Sequence, residues 1–293
     1  MVVTKPWLER LWELLGEMDM ASFSRNDIAE IIQTNKEELD IPPSLTVSRV
    51  LGYLVGEGRL SEVKLMREGR RTTQGSMTRF VTDRASPLAL GLSLRSESYL
   101  SHSTAVFVQG LTEQVPKTIY VNKEQSPKHH GKGRLTQPAI DRAFSNAPRK
   151  SKYVFATDEN RFVLLSGKNT RRLGVEEVRD ANGKPIDVTN MERTLIDIVV
   201  RPAYSGGVPE IINVYRNAKG KVSVKRLLGI LRELEYTYPY HQSIGFIMQR
   251  AGFEERELRL LESFGIKWKF YLDYKLVEPE FDERWKLFYP KGL

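Results

Sequence analysis

Apolar residues recur at helical spacing three times within the first sixty positions, and each run is preceded by a side chain suited to capping a helix. Trp7, Leu8, Leu11, Trp12, Leu14, Leu15 and Met18 form the first stripe, with Thr4 as its N-cap and acidic residues plus Arg10 on the other side. Ser24, Arg25, Asn26 and Asp27 have the spacing of a capping box and open a short second helix through Ile28, Ala29, Ile31 and Ile32. Residues 34–43 are polar, end in Pro42 and Pro43, and read as a connection. Ser44 then caps a third helix whose core face is Val47, Val50, Leu51 and Leu54, and Gly56 and Gly58 close it. Beyond it, residues 60–66 and 76–82 predict two strands joined by Arg67, Glu68, Gly69, Arg70, Arg71, Thr72, Thr73, Gln74 and Gly75.

Three helices followed by a basic hairpin is the order of a winged helix-turn-helix. At about 100° per residue, the third helix presents Arg49, Gly52 and Gly56 opposite its core, flanked by Thr46, Ser48 and Tyr53. Hydroxyls and an arginine near the N-terminal end of a short helix, with glycine where bulk would hold it off a surface, suit a major groove. Ser44, Thr46, Ser48, Arg49 and Tyr53 are therefore candidate reading residues. Arg67, Arg70, Arg71, Thr72 and Thr73 are candidate wing contacts to phosphates or the minor groove. A protein-binding module with a solvated basic loop is the competing interpretation of the same pattern.

After residue 90 the pattern mixes. A helix over 101–110 closes at Gly110, and strands follow at 118–121, 153–156 and 161–166. Segments 175–179 and 186–188 flank Asn182-Gly183, a strong hairpin signal. Thr189, Asn190, Met191 and Glu192 read as a capping box for a helix ending at Arg201 before Pro202, with Arg193 and Asp197 one turn apart and able to pair. Amphipathic helices are expected over 222–234, 244–250 and 254–264, and alternation over 267–275 predicts a strand. The expected fold class is α+β: a winged helix-turn-helix over 1–90 and a mixed α/β domain over 91–293.

Composition narrows the chemistry. The 293 residues carry 45 Lys and Arg against 37 Asp and Glu, a net charge of +8, which favours a polyanionic partner. The sign is uneven: residues 1–43 hold four basic and nine acidic side chains, and residues 44–95 hold nine and four. A second basic window, 117–152, sets nine Lys or Arg against Glu124 and Asp141, and a polar stretch at 126–133 within it reads as a loop. With no cysteine the chain has no disulfide, thiol nucleophile or thiolate zinc site, and the His129-His130 pair has no carboxylate pattern beside it. No metal or cofactor is expected. Neither a signal-peptide core nor an apolar run of about 18 residues is present, so a cytoplasmic location is expected.

Catalytic signatures are sparse. Gly167-Lys168 is followed by Asn169 where a phosphate-binding loop needs Ser or Thr. Asp273, Tyr274 and Lys275 have the acid-x-Lys form of a restriction-type nuclease, with Asp187 as the second carboxylate such a site needs for its cation. Ser101 and His102, as neighbours on a helix, are expected to point apart.

SHSTAVFVQGLTEQVPKTIYV (101–121), VTNMERTLIDIVVRPAYSGG (188–207) and YPYHQSIGFIMQRAGF (238–253), together with the N-terminal pattern, resemble the AbiEi family of antitoxins from type IV, abortive-infection toxin-antitoxin systems. The resemblance spans nearly the whole chain, and ERTLID is its most specific block. It implies a phage-defence regulator that represses its own operon at inverted repeats in double-stranded DNA. It also implies a C-terminal domain that counteracts a nucleotidyltransferase toxin without needing a tight complex, and it marks Glu192, Arg193 and Asp197 as motif residues whose place at a helix start also has a structural explanation. Two other functions compete: a transcription factor with a ligand-sensing second domain, and a metal-dependent nuclease. Operator, toxin and oligomeric state are not written in the sequence.

Overall fold

Proline at a helix start gives up no hydrogen bond and brings a suitable φ, and Pro6 opens α1 (Pro6–Glu17) behind Lys5. The expected cap, Thr4, lies outside the described residues, which are 5–69, 75–127 and 135–293 of this computed structural model. After β1 (Ser22–Phe23), which the hydropathy pattern does not reveal, Ser24 caps α2 (Arg25–Thr34) through the expected box. The Asp27 amide donates to Ser24 Oγ at 3.1 Å, and the Ser24 amide donates to Asp27 Oδ2 at 2.6 Å. Ser24→Ala should therefore cost about 1 kcal/mol, read as a lower urea midpoint at unchanged slope.

The expected connection contains one helical turn, α3 (Lys36–Leu39), and it sends Leu39 and Ile41 into the core beside α1 and α2. Next comes α4 (Val47–Gly56), capped by Thr46 and not by Ser44. The Leu45 amide is already bonded to the Pro42 carbonyl at 2.9 Å in a turn, so the chain becomes extended only at Thr46, whose Oγ1 accepts from the Arg49 amide at 3.4 Å. Val50, Leu51 and Leu54 are buried as the spacing predicts. Strands β2 (Ser61–Arg67) and β3 (Met77–Val81) follow as an antiparallel hairpin, and β1 pairs with β3 on its other side.

The remaining elements are α5 (Pro87–Ser93), β4 (Tyr99–Leu100), α6 (His102–Val108), β5 (Thr118–Glu124), α7 (Gln137–Phe144), β6 (Val154–Ala156), β7 (Arg161–Gly167), β8 (Val175–Arg179) and β9 (Pro185–Thr189). After them come α8 (Met191–Val200), α9 (Val208–Ala218), α10 (Val224–Glu233), α11 (Tyr240–Arg250), α12 (Glu255–Glu262), β10 (Phe270–Tyr271), β11 (Glu280–Asp282) and β12 (Leu287–Tyr289). The protein is a mixed α+β fold with two sheets among the described residues, one of nine strands in the order β1-β3-β2-β6-β7-β5-β4-β9-β8 and one of three, β10-β12-β11. The largest core lies among α8 to α12 and the small sheet. A second core fills the space between the large sheet, α5 and α6.

Two expectations need correcting here. The predicted strand over 267–275 shortens to β10, because Lys275 takes a left-handed φ of 50° and its amide turns to the Phe144 carbonyl at 2.7 Å. No capping box forms at Thr189. Asn190 caps α8 by accepting from the Arg193 amide at 2.9 Å, and the Glu192 carboxylate turns instead to the Ser223 amide at 3.1 Å and to Arg226 at 2.6 Å. Helices α5, α7 and α9 are likewise additions to the expected elements, although each carries a proline in its first turn.

The seam between the N-terminal elements and the rest positions the site. β2 pairs antiparallel with β6 (Met66↔Ala156, Arg67↔Phe155), so the large sheet runs without interruption across the expected division, and residue 90 falls inside α5. Leu65, fully buried, packs into the core beneath α5 and α6. Lys184 Nζ donates to the Met18 carbonyl at 2.6 Å, and the Arg79 guanidinium turns inward to the Ser93 carbonyl at 2.9 Å. Among the described residues no helix is long and apolar enough to cross a membrane.

Candidate nucleic-acid interface

α4 packs on α2 through its apolar side, which leaves the opposite side outward. Ser44, Thr46, Ser48, Arg49, Gly52, Tyr53 and Gly56 are all exposed. Among the described residues, Ser44, Ser48 and the Arg49 guanidinium have no hydrogen-bond or ion-pair partner, so their donors remain free for an incoming group. Tyr53 is less free than the others. Its ring meets Trp7 edge-on with centroids 5.8 Å apart, and Lys5 Nζ sits 4.4 Å from its centre, so the hydroxyl end is what it offers outward. Among the described residues the seam is made by β1, β2, β3 and Met18 just after α1, and the outward face of α4 stays exposed.

The hairpin is held at its base. Arg67 lies over the Tyr153 ring at 4.7 Å, a cation–π contact, and is half-buried there. The Glu68 amide donates to the Val154 carbonyl at 2.9 Å, and its carboxylate takes both Arg161 nitrogens at 2.6 and 2.8 Å. That pairing holds the Glu68 carboxyl below its ordinary pKa. Arg67 is thus a structural part of the seam as well as a candidate contact. Arg70, Arg71, Thr72 and Thr73, the remaining expected wing contacts, lie outside the described residues, as does the His129-His130 pair.

The motif residues on α8 are enclosed. Glu192, Arg193 and Asp197 are 1%, 4% and 6% exposed. Arg193 Nε donates to Asp197 Oδ1 at 2.8 Å, and its Nη1 donates to the Leu173 carbonyl at 2.7 Å. Burial works against the charge on Arg193, but Asp197, Tyr236 and Tyr99 together offset this and keep its pKa raised. Nearby, burial would raise the Glu124 carboxyl, yet the Thr170 hydroxyl and the Thr170 and Arg172 amides hold it below its usual value. Tyr99 and Tyr236 border this group, and burial pushes both phenols well above their ordinary pKa. In this conformation the three motif residues offer no surface to a partner, and their bonds tie α8 to the loop before β8 and to α10.

The residues considered for nuclease chemistry do not gather. Asp187 is paired with Arg172 at 2.7 Å on the large sheet, whereas Asp273 follows β10 of the small sheet and accepts from the Tyr274 amide at 2.7 Å. Among the described residues no group of three or more His, Asp or Glu is arranged to hold a metal ion. Ser101 and His102 differ from expectation: the extended backbone at Ser101 and a left-handed φ of 53° at His102 bring Ser101 Oγ to 2.9 Å from His102 Nδ1. Both are buried, at 1% and 8% exposed.

Neither a family model nor a curated protein matches the chain. Among solved structures it is similar to a crystal structure of the RV2827C protein from Mycobacterium tuberculosis. That likeness has a TM-score of 0.54 at 14% identity over 97% of this chain and 92% of the other. At that identity the shared property is the fold.

Proposed function

We propose that the chain binds double-stranded DNA through its N-terminal unit, read as a winged helix-turn-helix with α4 as the reading helix and the β2–β3 hairpin as the wing. The observation that carries the proposal is the outward polar face of α4, with Ser48 and Arg49 exposed and, among the described residues, unpaired and uncovered by the C-terminal half. The pairing of β1 with β3 and of β3 with β2, packed on α2, supports the same reading. The test is a shift assay on the DNA upstream of the chain's own gene. Sequence-selective retardation that weakens steeply with salt is expected. Equal binding of unrelated duplexes, or none, would reject it.

Within that assay Arg49→Ala should cost about 1 to 3 kcal/mol of discrimination, since a bidentate contact to a base edge has that value. Arg70→Ala and Arg71→Ala should instead weaken all sequences evenly and lower the salt slope by about 1 each. The reverse pattern would exchange the roles assigned to helix and hairpin.

The regulatory context we propose is that of the AbiEi resemblance: an antitoxin that represses its own operon and counteracts a nucleotidyltransferase toxin through its C-terminal domain. The three stretches that carry the resemblance lie together. They contribute α6, β5, the end of β9, α8 and α11, and α8 packs on α6, β9 and α11. Co-expression should restore growth to cells arrested by a cognate nucleotidyltransferase toxin, and continued growth arrest would reject this role while leaving DNA binding intact.

A further inference from the structure

Resting on the DNA-binding proposal, we infer that residues 149–153 form a second, phosphate-contacting ledge that carries a duplex past the wing onto the C-terminal half. Strand register puts the ledge there. β2 runs toward the hairpin tip and β6 runs back from it, with Arg67 opposite Phe155 and the Glu68 amide on the Val154 carbonyl at 2.9 Å. The chain entering β6 therefore emerges at the tip end of the wing, and Tyr153 lies under Arg67 at that point.

The segment is fixed by its backbone and leaves its cations outward. The Ser151 amide donates to the Tyr204 hydroxyl at 3.0 Å, Ser151 Oγ donates to the Leu164 carbonyl at 2.6 Å, and the Leu164 amide donates to the Tyr153 carbonyl at 2.9 Å. Arg201 Nη1 holds the Arg149 carbonyl at 3.2 Å. Arg149, Lys150 and Lys152 are exposed and have no ion pair among the described residues. Two neighbouring cations are neutralised, Arg161 by Glu68 and Lys123 by Glu97 at 3.1 Å. Asp273 shares a recess with Arg149 and Lys150, but its carboxylate accepts from the Tyr274 amide.

Three such cations within four residues, on an anchored strand entry, favour a polyanion with closely spaced charges. A duplex carries one charge per roughly 1.7 Å of its axis, and the proposed wing already places such a duplex next to them. Tyr153, 57% exposed and stacked by Arg67, joins wing and ledge. Because the backbone of the ledge is anchored before binding, only its side chains have to be ordered on contact.

The experiment compares the full-length parent with Arg149→Gln/Lys150→Gln/Lys152→Gln on the upstream duplex across a salt series. Each phosphate that is no longer neutralised should take about 0.9 off the slope of log affinity against log salt, so a drop of about 2 to 3 is expected. Discrimination between the upstream duplex and a scrambled one should stay as in the parent, and so should the melting temperature, because these side chains support no folded contact. A parent that binds and a triple variant with the same slope and affinity would overturn the ledge alone, which is also the outcome if these cations serve an acidic protein surface. A parent without selective, salt-sensitive binding would overturn the DNA reading and the ledge together.

Discussion

Asp197→Ala is expected to lower folding stability by about 3 to 5 kcal/mol, because it strands the Arg193 guanidinium in a site that water does not reach. Arg193 is 4% exposed, and its remaining partners, the Leu173 carbonyl and the Thr170 hydroxyl, are neutral. Urea denaturation followed by far-ultraviolet circular dichroism would measure the loss, and a decrease under about 1 kcal/mol would show that the pair is not the enclosed one described above. Replacing both partners with apolar residues, Arg193→Met/Asp197→Leu, should be milder, since no charge is then left without a counterion. The comparison bears on function. Under the proposed antitoxin role, if these residues act through the fold, the double variant keeps toxin protection in proportion to its folded fraction. If they touch the toxin, protection is lost while the protein stays folded.

Acidification is expected to weaken the fold through His102. Burial lowers its pKa to about 4, with Arg201 and Arg193 adding to the effect and Asp197 opposing it. Its ring packs edge-on against Tyr204 at 5.3 Å and tilted against Tyr120 at 6.1 Å, so no water replaces the solvation a charged imidazole would lose. The folded pKa lies below the unfolded value of about 6.5, so between these two values the unfolded chain holds more protons and stability rises with pH. The contribution is complete above pH 6.5 and declines as pH falls toward 4, amounting to about 3 kcal/mol at one pKa unit per 1.36 kcal/mol. His241, also lowered by burial, titrates in the same direction. His102→Asn isolates the first group, because asparagine tolerates the left-handed backbone at this position. Its urea midpoint should change less than the parent's between pH 7.5 and pH 5, and parallel curves would refute the assignment.

Much of the N-terminal unit was legible in the sequence because its signals are local. Ser24 and Asp27 sit three residues apart, and the capping box they predict is made by atoms within one helical turn. Val50, Leu51 and Leu54 recur at the helical period, so the buried side of α4, and with it the outward side, followed from spacing. The misplaced cap at Ser44 arose because serine is by residue type a better cap than threonine, and only the Pro42 turn hands the role to Thr46. Arg193 and Asp197 were recognisable as a pair from their separation, but their depth was not.

The sequence by itself determined the buried faces of α1, α2 and α4, most strand positions, the concentration of positive charge between residues 44 and 95, and the absence of cysteine chemistry. Only the tertiary structure decided that β2 pairs with β6, which joins the two halves into one sheet and puts Tyr153 beneath Arg67. It also decided that Ser101 reaches His102, that Arg79 turns inward, and that Glu192 answers Arg226 across thirty-four positions. The division has a physical origin. Caps and periodicity are settled by neighbours within a turn or two, whereas a strand edge or a buried charge takes whichever distant partner the packed core brings within bonding distance.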